Sequence, residues 1–276
     1  MRLRKAFTII EIIWVTVVLG IVASLGAEMI AQVYKQYVLQ RALFSAETKT
    51  ELAALQIANR LRYAVPYTVI RRTAKGATQW ENLTDPMNLN PAGNYNLFQW
   101  VGADGDSFEA IATGNRRPGW SGFCDVVASS NNVVVTPGSN LPNASTIIAN
   151  LSGGSKSISD AAIYFPGDDT AHNIANINGN TQLNMESNLT RVVEHYKLAW
   201  SSYALSVENG DLYLYYNFTP TKAAAIPANA GRSLLLKNVA TFKFRNDGQT
   251  IRFKICKSEN IGEDFNITAC KEKAVF

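Results

Sequence analysis

The sequence predicts an α+β protein in which a long N-terminal helix, with a transmembrane first half, packs on an antiparallel β-sheet head. Three observations predict this: an apolar stretch over residues 7–27, a helical pattern that continues beyond it, and two hairpin signals near the C-terminus. We expect a transmembrane half over residues 7–30 and an amphipathic half over residues 31–65. The remaining residues, 66–276, are numerous enough for one sizeable β-rich head.

The apolar stretch has the length of a membrane span. A helix over residues 7–27 is about 31 Å long and matches a bilayer core of about 30 Å. Arg2, Arg4 and Lys5 precede it and favour a cytoplasmic N-terminus, with the rest of the chain outside. A cleaved secretory signal peptide is the alternative, since residues 22–27 offer small side chains. The greater apolar length and the continuing helical pattern argue against it.

Glu11 is the one charged residue inside the apolar stretch. A carboxylate there costs about 2.5 kcal/mol or more. In the intact chain Glu11 can lie near the interface, close to Lys5.

The helix is predicted to continue beyond the membrane. Apolar residues at approximately helical spacing follow the span: Ile30, Tyr34, Tyr37, Val38, Leu43 and Phe44. A second stripe, at three-residue steps, contains Leu52, Leu55, Ala58 and Leu61. Pro66 ends the helix, because the residue before a proline disfavours helical geometry. A membrane anchor with an unrelated linker is the alternative, but no Gly/Pro/Ser-rich linker lies between Gly26 and Pro66.

Two hairpins are predicted near the C-terminus. Asn209-Gly210 and Asp247-Gly248 each separate two runs of alternating apolar residues, the strongest short hairpin signal. Four such strands with one apolar face need a cover, which the helix stripe supplies. Shorter strands are expected at residues 97–101, 161–165 and 192–198. Long loops with short strands are expected over residues 72–96 and 129–188.

The charge balance gives no reason to expect a nucleic-acid partner. The formal net charge is +4, and Arg2, Arg4 and Lys5 supply three of the positive charges. Without these three residues, 23 Lys and Arg stand against 22 Asp and Glu. A nucleic-acid-binding surface needs a dense basic patch instead.

The three cysteines suggest an exported head. A bridge between Cys256 and Cys270 would close a loop of about 15 residues and contribute roughly 3 kcal/mol in the chain-entropy model. It would also hold a tail that otherwise frays. Two free buried thiols are the alternative, and Cys124 is then either a third free thiol or a competing partner. The three spacings do not indicate a metal site.

One short block raises the question of an enzyme. Gly105-Asp106-Ser107-Phe108 resembles the nucleophile block of GDSL-type esterases, and Asp169 with His172 supplies a possible acid and base. In that family the serine follows the first strand of an α/β sheet, whereas here it follows a membrane helix. His195 is expected on a strand surface. We therefore expect no enzyme and no catalytic residues.

Two acidic turns raise the question of calcium. Residues 104–106 and 167–169 carry paired aspartates beside glycine. Calcium takes about six to eight oxygen ligands, which such turns can partly supply. Ordinary Asp/Gly turns are the alternative. We assign no metal ligands and expect no cofactor, with calcium left as a minor option.

The N-terminal residues 1–11 resemble those of type IV prepilins and pseudopilins: a basic leader, a small residue, Phe7 and then Glu11 in an apolar helix. The resemblance implies that residues 1–6 are a leader peptide and that a prepilin peptidase cuts after Ala6 and methylates the Phe7 amine. The new amine of Phe7 can then neutralise the Glu11 carboxylate within one subunit or between neighbours, and the resemblance implies a pair with an adjacent subunit. Two departures are Ala6 where glycine is usual and Glu28 where many major pilins have a helix-kinking proline. Some pseudopilins of this class bind calcium in their heads.

Other segments resemble minor subunits of the same class. Residues 53–66, 210–213 and 233–242 resemble minor pseudopilin J of type II secretion and PilW-like minor pilins. This implies a non-enzymatic, single-pass inner-membrane subunit with a periplasmic head, which moves to the tip of a pilus or pseudopilus. Its partners would be the prepilin peptidase and other minor and major pilins. The alternative is a single-span membrane-anchored periplasmic binding protein that does not polymerise. Secretion, motility and DNA uptake remain open.

Overall fold

The computed structural model describes residues 8–83, 96–111, 116–247, 250–261 and 266–275. One helix, α1 (Ile9–Leu61), accounts for 53 of these residues. It begins after Thr8 and ends five residues before Pro66, slightly earlier than the sequence predicts. The predicted single helix is therefore confirmed, as is the coarse α+β class.

The head contains two further helices, α2 (Gly105–Glu109) and α3 (Leu141–Leu151), and 14 strands among the described residues. The strands are β1 (Ile70–Arg72), β2 (Trp80–Asn82), β3 (Leu97–Gly102), β4 (Val133–Val135), β5 (Ala162–Tyr164), β6 (His172–Asn178), β7 (Gln182–Met185), β8 (Lys197–Ala199), β9 (Ser201–Glu208), β10 (Asp211–Phe218), β11 (Gly231–Leu236), β12 (Val239–Asp247), β13 (Thr250–Asn260) and β14 (Asn266–Val275). All the pairings between these strands are antiparallel.

Both predicted hairpins form. β9 and β10 pair across Asn209 and Gly210, which have φ angles of 53° and 82°. Positive φ at both positions is what a two-residue hairpin turn requires. β12 and β13 form the second hairpin, although its turn, residues 248–249, lies outside the described residues. The expectation of a strand over residues 97–101 is also confirmed, by β3.

The two hairpins do not share one sheet, which corrects the sequence-based expectation. The first lies in a six-stranded sheet of order β11-β10-β9-β3-β1-β2, and the second in a three-stranded sheet of order β12-β13-β14. The separation arises because β11 pairs with β10 and occupies that edge. β14, the C-terminal strand, pairs with β13 along its whole length.

The C-terminal half of α1 packs between these two sheets. Its buried residues are Ala46, Thr50, Ala53, Ala54, Ile57 and Leu61. They share a core with Phe98 and Leu205 of one sheet and Phe253 of the other. Lys273 of β14 also donates a hydrogen bond to Glu51, at 2.5 Å, and lowers the pKa of that carboxyl.

The predicted stripe of α1 is confirmed at Leu61, which is buried, and at Ala58, which packs against the same core, but it is wrong at its first two residues. Leu52 and Leu55 were expected to face the head, but they are 55% and 41% exposed. The physical reason is that residues at exact three-residue steps rotate away from any one face of a helix with 3.6 residues per turn. The buried face follows steps of three and four instead, and it uses alanines that let the strands approach closely.

Residues 116–200 form a folded unit with its own core, where long loops were expected for residues 129–188. A five-stranded sheet of order β4-β7-β6-β5-β8 packs with α3 around side chains such as Trp120, Ile148 and Leu183. The missed helix had a local signal: Pro142 near its start and Gly153-Gly154 after its end. The strand expected at residues 192–198 is shorter and begins only at Lys197.

Cys256 of β13 and Cys270 of β14 lie directly opposite each other, with their Sγ atoms at the disulfide distance of 2.13 Å. Cys124 is buried and free. We expect the double replacement Cys256→Ser and Cys270→Ser to lower the free energy of unfolding by about 3 kcal/mol, because the unfolded chain gains loop entropy. Urea unfolding of both proteins measures this, and Cys124 is left unchanged in both. Equal stability of the wild type and the double variant contradicts the bond.

Candidate functional site

The first half of α1 projects from the head with its apolar side chains uncovered. The most apolar 18-residue window has a mean hydropathy of 2.3, and none of it is buried. By length and composition this helix can cross a membrane, a test that a signal sequence near an N-terminus also meets.

The exposed apolar surface of α1 extends beyond one membrane thickness. Val33, Tyr34 and Phe44 are 67%, 66% and 72% exposed, and the uncovered face continues to Leu55. A helix from Ile9 to Leu55 rises about 70 Å, whereas a bilayer core is about 30 Å thick. A bilayer around this helix could therefore cover less than half of the exposed apolar surface, and apolar residues would remain between the bilayer and the head.

Glu11 lies in the first turn of α1 and is exposed. Its Oε2 atom accepts long contacts from the backbone N–H and hydroxyl of Thr8, at 3.5 and 3.4 Å. These local contacts leave most of the carboxylate free to meet a cation. Ala6 and Phe7, the predicted cleavage and methylation site, lie outside the described residues.

The esterase-like residues are not arranged as a catalytic triad in the described part of the chain. Ser107 is fully buried in α2, and its backbone N–H donates to Asp104 at 3.1 Å. Burial raises the pKa of Asp104. His172 contacts Asp168 at 3.3 Å, whereas Asp169 pairs with Lys222. The block therefore folds as a capped helical turn and not as an exposed nucleophile.

The acidic turns use their carboxylates within the protein. Asp104 caps α2, and Asp168 accepts from the Thr170 N–H at 2.9 Å. Within the described ranges, no group of three or more His, Cys, Asp or Glu side chains converges as metal ligands would. His195, expected on a strand surface, is exposed in an isolated bridge with Phe123.

A cavity of about 600 Å³ lies at the junction between the end of α1 and the unit of residues 116–200. Aromatic residues from distant parts of the chain line it, including Tyr63, Phe108, Trp120 and Tyr164. Sequence reasoning missed this site because its residues come from five separate segments that only the fold brings together. Phe108 and Trp120 contact each other, with ring centroids 4.8 Å apart.

Comparisons with protein-family models, with curated proteins and with solved structures find no match for this chain. Any function must therefore be argued from the residues themselves. Two features outside ordinary core packing carry that argument: the exposed apolar face of α1 with Glu11, and the aromatic cavity.

Proposed function

We propose that this chain is a non-enzymatic minor pilin or pseudopilin subunit, held in the inner membrane by the first half of α1. The proposal places it in a short initiating complex at the tip of a type IV pilus or a type II secretion pseudopilus. The observation that carries the proposal is the exposed apolar face of α1, which is more than twice as long as a bilayer core.

Helices of neighbouring subunits can cover the part of the exposed apolar face of α1 that lies outside the lipid. Side chains such as Tyr34, Tyr37 and Phe44 are exposed between the membrane span and the head, where burial against a partner is favourable by roughly 25 cal/mol for each Å² of apolar surface. Parallel α1 helices of neighbouring subunits present matching apolar faces over this length. Lateral packing of helices therefore supports assembly, with the head free to contact other minor subunits.

Maturation gives Glu11 its partner in this proposal. A prepilin peptidase cuts after Ala6 and methylates the Phe7 amine, which places a positive charge in the same apolar layer as the Glu11 carboxylate. Each charge alone costs about 2.5 kcal/mol or more in a membrane, so the two stabilise each other when they meet. Pairing with a neighbour's amine would also fix the register of adjacent helices.

The test is the mature N-terminus, measured by mass spectrometry on protein from its native membrane. We expect a chain that begins at N-methylated Phe7 and that co-purifies with other pilin-like proteins. A chain that begins near Ala27 contradicts membrane retention and indicates a secreted protein. An uncut chain without pilin-like partners indicates a single-span binding protein that does not polymerise, an alternative that the aromatic cavity favours.

A further inference from the structure

We propose that the aromatic cavity binds a small amphipathic organic anion, with an apolar ring or branched body and one carboxylate. This binding site is independent of assembly through α1. Its volume of about 600 Å³ falls in the range of roughly 300–1,000 Å³ that is usual for small-molecule sites.

The cavity wall is apolar because its aromatic residues have their polar atoms engaged elsewhere. Trp120 donates its indole N–H to the Asp104 carbonyl at 2.8 Å, and Tyr164 donates its hydroxyl to the Pro220 carbonyl at 2.5 Å. The hydroxyl of Tyr196 shares a hydrogen bond of 2.8 Å with Thr136. These rings therefore offer faces and edges to the cavity, a surface suited to an apolar or aromatic body.

The charged groups of the cavity favour an anion. Among the described residues that line it, two are cationic, Lys197 and Arg62, and one is a carboxylate, Asp168, which already contacts His172. Lys197 is half-buried, and its ammonium has no hydrogen-bond or ion-pair partner among the described residues. Burial also lowers the pKa of Lys197. A partly buried cation without a partner is costly, and a ligand carboxylate would supply the missing charge.

Tyr67 gives a second observation at the mouth of the cavity. It is 56% exposed and has a φ angle of 66°, a left-handed geometry that a bulky side chain rarely adopts. Strained positions of this kind concentrate at binding sites. Tyr67 is among the residues that line the cavity, so its ring is placed to contact a bound ligand.

The experiment measures two matched probes by isothermal titration calorimetry, with the full-length protein in phosphatidylcholine nanodiscs and empty nanodiscs as the blank. The probes are 2-naphthoate and its uncharged counterpart 2-naphthamide. We expect one saturable site for 2-naphthoate with a Kd below about 1 mM, and affinity for the amide at least about tenfold weaker. Equal affinities, or no saturation by 2-naphthoate, overturn the proposal without any variant.

Variants then locate the site. Lys197→Met is expected to weaken the affinity for 2-naphthoate about tenfold. The matched control is Lys237→Met, at an exposed lysine outside the cavity, and it is expected to leave this affinity unchanged. Tyr67→Gly relieves the backbone strain, so the head is expected to stay folded. The variant also loses the aromatic ring, so its affinity for 2-naphthoate is expected to fall severalfold. Unchanged affinity in a folded Lys197→Met protein places the probe elsewhere and overturns the assignment.

Discussion

Replacement of Glu11 by alanine or valine is expected to reduce incorporation into the tip complex by at least about tenfold while the head stays folded. In the proposed mature subunit the Phe7 amine lies in the apolar layer, and removal of the carboxylate would leave that charge without its partner. The cost of about 2.5 kcal/mol for one charge in a membrane helix corresponds to a factor of several tens in an equilibrium constant. The head is unaffected because Glu11 lies on the projecting part of α1, far along the chain from the buried residues that begin at Ala46.

The measurement is the amount of each variant that co-purifies with pilin-like partners from native membranes, relative to its total membrane level. Glu28→Ala is the matched control, since Glu28 is also an exposed carboxylate of α1 but lies beyond the apolar stretch. Glu11→Gln separates charge from hydrogen bonding, because glutamine can keep the contact with Thr8. Normal incorporation of the alanine or valine variant contradicts the role of Glu11. Normal incorporation of the glutamine variant would falsify the argument from charge, but not a role for Glu11 in hydrogen bonding.

Local signals predicted the elements that the structure confirms. The apolar length of the first half of α1 and the turn at Asn209-Gly210 are properties of contiguous residues, so the sequence contains all the information they need. Glu11 was selected on the same kind of local evidence, a single charge in an apolar stretch, and its role in assembly stays a prediction. The cysteine pair was predictable because Cys256 follows the apolar residues of a predicted hairpin strand and Cys270 lies close to the C-terminus.

Sheet membership and the cavity depend on contacts between distant segments, which no local pattern contains. The alternation in β10 and β12 is the same, yet β11 separates the two hairpins into different sheets. The wall of the cavity joins Tyr63, Phe108 and Tyr164 across a hundred positions of sequence. The buried face of α1 was misassigned for a related reason: alanines carry little hydropathy, but their small size decides which face the strands can approach.

Two nearby residues on opposite faces of α1 allow the stability of the head and the assembly of the subunit to be tested separately. Ile57 is 1% exposed in the core between the two sheets, and Leu55 is 41% exposed on the outer face. We expect Ile57→Ala to lower the free energy of unfolding of the head by about 4 kcal/mol, near the upper end for loss of a buried aliphatic side chain. Leu55→Ala is expected to change it by less than about 0.5 kcal/mol.

The same pair tests whether the outer face meets a partner. Leu55→Ala is expected to reduce co-purification with pilin-like proteins severalfold, since each buried methylene contributes about 0.8 kcal/mol to such a contact. Urea unfolding, followed by tryptophan fluorescence of the full-length protein in detergent, gives the stability of each variant. If Leu55→Ala destabilises the head as strongly as Ile57→Ala, the helix faces inward at Leu55 and the outer face cannot be an assembly surface. If it changes neither stability nor co-purification, partner helices do not reach this far along α1, and any lateral packing ends nearer the membrane.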